Sequence, residues 1–459
     1  SVSAFLLNRS SDLLSCQKDN AGNELRYTYD AAGNVTSETD QLGRTKTYTY
    51  DKYGRLLTET TPNGGVTTYE YDVMDRVTAV TDAAGTRTVF TYDKAGNQLT
   101  MTEADGAQYS YVYDVLNRVT VVTNPLGGTE CYTYDAAGNV VAHTDANGTT
   151  IRYTYDANGN NTSITDGKGN QTTYVYDELG RLIKETAPEG ETKEYRYDAL
   201  GSLIKYQDAE GAVTQYRYDS LGNMVETISP KGKSTTYTYD KHGNVLSETD
   251  AKGNVTAYEM NLNDQVVTLT QANGGTYTYE YDEAGRIIKT TSPLGFVTEF
   301  TYDVMDNVVE ESNSLGQTTT YTYDILGRMT GSVNAKGGST LYAYDFRNNL
   351  ISETNALGYT TSYTYDVLSR MVEEKNPLGH ITAYTYDPVG NLESVLAPGG
   401  AKTTYSYDAN YNVADMTAGR RGEPARLEEG RKGPHDQGCR PEGRRGCQVR
   451  RGRQRRQYG

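Results

Sequence analysis

Residues 27–47 read YTYDAAGNVTSETDQLGRTKT, and residues 48–54 begin the same text again, YTYDKYG. Take the second tyrosine of each Y-x-Y-D as position zero. It falls at Tyr29, Tyr50, Tyr71 and every twenty-first residue on to Tyr407, giving 19 copies without insertion or deletion; Met260 is the one substitute. Two residues earlier every copy is aromatic, with Phe90 and Phe300 the only replacements for Tyr, and one residue later every copy is Asp except Asn261. Fourteen residues after position zero, glycine recurs without exception from Gly43 to Gly400. A fixed period of this length means that each unit is one small element that buries its apolar face only by stacking on its neighbours.

Each unit carries two turn signals, in the first copy Asp30 to Gly33 and Asp40 to Gly43. Asp at the head of a turn bonds forward to backbone N–H groups, and Gly at its end adopts positive φ without steric cost. D-x-x-G therefore predicts a tight hairpin connection. Where the first-turn glycine is missing, Asp75, Asn117, Asp264, Asp306 and Asn348 replace it, the next best residues for that conformation, while Ser369 and Tyr411 fit it less well. Between turns lie segments of about seven residues rich in Thr, Val and Tyr, which is strand composition. Tyr27 and Tyr29, like Tyr48 and Tyr50, are two apart and share a strand face. Six residues beyond position zero the residue is apolar in 17 of 19 units; Gln98 and Asn161 break the rule.

The expected fold is all-β: tandem 21-residue β-hairpins stacked into one long sheet, with tyrosine ladders across the strands. About 38 strands at about 4.8 Å make a ribbon on the order of 180 Å long. Strands twist by about 20° each, so the ribbon must coil into a spiral shell or cocoon. The positions that build it are, in the first two units, Tyr27, Tyr29, Asp30, Gly33 and Gly43, then Tyr48, Tyr50, Asp51, Gly54 and Gly64. Composition agrees. With 42 Tyr, 47 Gly, 5 Phe and no Trp in 459 residues, the chain has the makings of a thin repeated layer rather than one thick core.

The phrase Y-x-Y-D-x-x-G-[NR]-[VL], followed by T-[DN]-x-x-G, resembles the signature of the RHS or YD-repeat family, and residues 27 to about 416 carry it, roughly 85% of the chain. That family includes bacterial polymorphic toxins, wall-associated proteins and the animal teneurins. The resemblance implies a spiral hollow shell and, for the bacterial members, a C-terminal toxin enclosed within it and released by cleavage. It implies carbohydrate or cell-wall polymer as a second class of partner, and an extracellular or cell-surface place. The sequence shows no delivery domain, no clear core-terminating segment and no toxin domain, so it reads as a fragment: a partial repeat over 1–26, the array over 27–417, and a tail over 418–459.

The tail breaks the pattern. It holds 13 Lys and Arg against 5 Asp and Glu, a charge of +8, while the remainder has 31 against 55, or −24. With 12 Arg, 9 Gly and almost no apolar residues, it has too little surface to bury and is expected to be disordered. The favoured reading is a frameshift of repeat-coding DNA, because the array ends in mid-unit where the charge reverses. A basic arm for nucleic acid or an acidic surface, and a linker to a lost domain, are the alternatives. The acidic array itself does not suit nucleic acid.

No catalytic constellation stands out. His143, His242, His380 and His435 fall at different phases of the repeat, and Cys16, Cys131, Cys439 and Cys447 share no metal-type or disulfide-framework spacing. The turn aspartates offer about one carboxylate per turn, where calcium requires six to eight oxygens, so they read as turn formers. Every repeated glycine is spent on a turn, which leaves no phosphate loop. No cofactor, no metal and no enzymatic activity are expected, and no apolar run is long enough to span a membrane.

Overall fold

The structure, a computed structural model, describes residues 5–7, 13–420 and 423–426. These form 41 strands, from β1 (Phe5–Leu7) and β2 (Leu14–Lys18) to β40 (Val413–Arg420) and β41 (Glu423–Arg426). All belong to one sheet, and each strand pairs antiparallel with the next in sequence. The ends stay unpaired with each other, so the sheet is unclosed. In the first full unit β3 (Glu24–Tyr29) runs into β4 (Val35–Thr39), which runs into β5 (Thr45–Tyr50). Strand pairing passes the expected boundary at 417 and continues to Arg426, so the first residues of the basic segment lie in strands rather than in a disordered tail. The remainder of that segment, and with it the frameshift reading, lies outside the described residues.

Both turns of a unit have the same backbone geometry. Asp30 N–H donates to the Asn34 carbonyl and Gly33 N–H to the Asp30 carbonyl; Asp40, Gly43 and Arg44 repeat this. Gly33, Gly43, Gly54 and Gly64 have φ of 75–88°, as the turn requires. The seven residues that replace glycine at the first turn, from Asp75 to Tyr411, all adopt φ of 61–68°. Most of them gain a bond that glycine lacks. Asp75 meets Arg55, Asn117 meets Asn97, Asp264 meets Asn244, Asp306 meets Arg286, Asn348 meets Arg328 and Ser369 meets Asn349, in each case a side chain 20 residues upstream. At Gly211 (φ 81°) a β-carbon would meet nothing within 4 Å. Gly211→Val is therefore a conformational test alone, expected to cost about 1 kcal/mol or more in thermal denaturation; an unchanged melting profile would reject the turn assignment.

The two connections differ in register. Across the first turn Tyr29 faces Val35 but Thr28 faces Ser37, so Thr36 is an extra residue, whereas Thr39 and Thr45 meet across the second turn without a slip. The same bulge recurs in each of the 19 units, always beside position zero. A bulge bends its strand and increases the twist. Repeated on one side of every hairpin, it coils the ribbon.

Nothing large is fully buried. The tightest positions are small: Cys16, Ala79, Ser163, Gly331 and Ser394, all eight residues past position zero, on the face opposite the tyrosines. The chain therefore has a thin repeated layer in place of a thick core. Asn161, one of the two residues that break the apolar rule, buries its Oδ1 without a hydrogen-bond partner. An unsatisfied buried acceptor costs about 1–3 kcal/mol, so Asn161→Leu is expected to raise the melting temperature, and a lowered one would contradict the assignment of this position to the packed face.

Candidate functional site

The repeat positions form three kinds of tie, each joining one unit to another. The first fixes the turn. Asp30 Oδ1 accepts from the N–H groups of Ala32 and Asn34, and Oδ2 accepts from Asn34 Nδ2, all at 2.8–2.9 Å. Asp51 does the same with Tyr53 and Arg55. These bonds hold the Asp30 and Asp51 carboxyls below the usual carboxylate range, the side-chain bond to Asn34 leading at Asp30 and the bonds from Arg55 overcoming burial at Asp51. Both oxygens are committed to the turn, which supports the turn-forming role over a calcium site.

The second tie explains the tyrosine at position zero. Tyr29 donates its hydroxyl to the Leu14 carbonyl, 15 residues upstream in the preceding hairpin, and Tyr71, Tyr92, Tyr113 and their equivalents do so on to Tyr407, in 16 units. The tyrosines do not stack into ladders, contrary to expectation. Tyr29 lies across from Val35 and Tyr27 from Glu38, and successive units are two strands, roughly 10 Å, apart. Tyr195 and Tyr206 make the one tyrosine–tyrosine ring contact among the described residues. The ring two residues earlier uses its hydroxyl only occasionally, as Tyr48 and Tyr321 do towards Glu38 and Glu311. That is why Phe90 and Phe300 are tolerated there. Tyr218→Phe, which loses the bond to Leu203, is expected to cost about 1 kcal/mol, and Tyr216→Phe close to nothing; equal effects in denaturant titrations would sink this distinction.

The third tie was not legible as a bond from sequence. Where the residue five past position zero is arginine, as at Arg55, Arg118 and Arg286, its Nε binds the turn Asp of its own unit and its Nη1 reaches the carbonyl of the next unit's turn Asp. The guanidinium also lies 4.5–5.1 Å from the next position-zero ring in seven units, for example Arg118 over Tyr134 and Arg370 over Tyr386. That is cation–π range.

The histidines are scattered, as their phases imply. His143 stacks on Tyr132 at 4.7 Å and meets Glu130 at 3.2 Å. His242 lies with Asp240 and Asp264 inside 4.8 Å, but both carboxylates already accept bonds from His242 and Asn244. Cys16 and Cys131 are free thiols.

One further set of contacts joins residues 240–266 apart in sequence, about twelve units. In each, a first turn of the second tier of the coil meets a second turn of the tier before it. Asn263 bonds Asp19 at 2.9 Å and Asn147 bonds Asp387 at 2.8 Å. Arg347 bonds Glu103 at 2.6 Å and both oxygens of Asp105 at 2.8 Å, Lys168 meets Asp408 at 2.5 Å, and Arg44 pairs with Asp306. Tyr411, awkward by φ alone, donates its hydroxyl to Asp145 across the same seam. A β-carbon on Gly167 would lie 2.1 Å from the Ala409 carbonyl oxygen, so the two tiers touch backbone to backbone there. The sheet thus winds as a spiral of roughly twelve hairpins per turn, tier seated on tier.

A family model for the RHS repeat matches residues 13–45, 29–66, 50–87, 92–129, 261–297, 302–340, 344–383 and 386–423, more than half of the chain. The chain belongs to the RHS-repeat family. A model described as the teneurin YD-shell matches residues 113–265, within the stretch between the RHS segments. No curated protein matches the chain. Among solved structures, a TcdB2–TccC3–TEV crystal structure resembles this RHS-repeat array with a TM-score of 0.70 at 16% identity, over 89% of this chain and 27% of that one. The Photorhabdus luminescens Tc holotoxin pore gives 0.69 at 16%, over 88% and 27%. The array thus spans less than a third of the length of these relatives, and the likeness is one of fold. No helix among the described residues is long and apolar enough to cross a membrane.

Proposed function

We propose that this RHS-repeat array is the wall of a shell, part of a secreted or cell-surface bacterial protein, that encloses or displays a C-terminal effector domain. The array itself acts as scaffold rather than enzyme. The observation that carries the reading is the seam: a sheet that returns to bond with itself every twelve repeats makes a continuous curved wall, and a wall separates an inside from an outside. One of the similar structures is of TcdB2–TccC3 without its hypervariable C-terminal region, so that relative carries a variable C-terminal segment beside its shell. A protease-sensitive reporter peptide placed after Arg426 tests the proposal. It should be cleaved more slowly than the same peptide free in solution, and faster again when the seam is weakened by Arg347→Ala. Equal rates in all three would reject enclosure.

A further inference from the structure

The same turn positions stand in two environments. In the second tier, first-turn tips rest on the tier before: Val304 and Ile325 are 45% and 38% exposed, and Leu326 and Leu368 are half-buried. In the first tier the equivalent tips are bare, with Val73, Val115 and Leu200 at 96%, 97% and 83%. The second turns show the converse. Leu42, under the seam, is half-buried, while Leu294 and Leu357, at the far rim, are 96% and 78% exposed. Each rim therefore displays apolar side chains whose counterparts are covered wherever a further tier is present, and single bare side chains of this size in a row mark an interaction surface rather than ordinary surface scatter.

We propose that the bare first-turn rim, from Val73 to Leu221, docks the bare second-turn rim of a second copy of this chain, stacked head to tail. The occupant is set by the chain's own seam. There the same two kinds of turn already pack against each other, staggered by half a repeat, with Asp, Asn, Arg and Lys bonds between them. The two rims are different surfaces, so the contact is heterologous and does not close at two copies; it continues the spiral from one molecule into the next.

Sedimentation velocity and negative-stain electron microscopy of the full chain over a rising concentration series test this. The wild type should form a ladder of end-to-end species. Leu116→Asp with Leu200→Asp, and separately Leu294→Asp with Leu357→Asp, should each be monomeric with unchanged sheet circular dichroism, because these side chains are solvent-exposed tips. Mixed together, the two variants keep one intact rim of each kind and should form pairs that grow no further. A wild type that stays monomeric, a rim variant that assembles like wild type, or a mixture that remains monomeric overturns the proposal.

Discussion

Raising the pH above 10 should unfold the sheet cooperatively, with the transition complete by about pH 12. Sixteen phenols donate to the backbone of the preceding hairpin, and a phenolate has no proton to donate. Burial, helped at many rings by nearby carboxylates, raises the phenol above its ordinary value of 10.0 along the array, as at Tyr113, Tyr218 and Tyr407. Tyr48 is pushed up to about 12 by burial and by the charges of Glu38 and Glu59, and Tyr132 to about 12 by burial and its bond to Glu130. A raised native value means that the folded state holds the proton more tightly. The stabilisation is then whole below pH 10 and is lost as the pH climbs through the native values. Each ring contributes little, but the same loss recurs in nearly every unit. Circular dichroism and phenolate absorbance followed together should change in one step; phenols that ionise at their ordinary value while the sheet persists would contradict the tie.

Arg347→Ala should be the most damaging single substitution at the seam. Its side chain is 12% exposed and holds Glu103 and Asp105 together. Removing it leaves two half-buried carboxylates facing each other without a counter-charge. Exposed ion pairs are worth about 0–1 kcal/mol and breaking a buried one costs about 3–5 kcal/mol, so this intermediate case is expected to cost about 2–3 kcal/mol. Arg217→Ala, whose pair with Glu226 is exposed on the arginine side, should cost no more than about 1 kcal/mol. Stability is local in a repeat array, so hydrogen exchange should quicken at residues 103–106 and 345–348 while distant hairpins stay protected. Equal losses for the two arginines would show that the seam carries no load.

The local structure was legible because it depends on residues near in sequence. D-x-x-G dictates its own turn, and the substitutes for glycine fell where φ is positive, Asp75 through Tyr411. The bulge was legible too, though it went unread. The two turns have equal length, so tyrosines can return to one face after an odd period of 21 only if each unit carries one extra residue, which is Thr36 in the first copy. The tyrosine ladders were wrong because equal phase puts rings on one face but two strands apart. What periodicity suggested was stacking, and what the phenol does is reach back to a carbonyl. The seam had no local signal at all. Arg347 and Glu103, 244 residues apart, meet only because bulge-driven curvature closes a turn every twelve units.

Zero-length carbodiimide cross-linking of the untouched chain, followed by peptide mass spectrometry of the monomer band, probes that winding most directly. Lys168 and Asp408 stand 2.5 Å apart across the seam, while Lys193 and Glu185, 2.9 Å apart within one hairpin pair, serve as the internal reference. A spiral of about twelve repeats per turn yields the Lys168–Asp408 amide alongside the reference link. The reference link without the Lys168–Asp408 amide would mean that the hairpins stack without returning upon themselves.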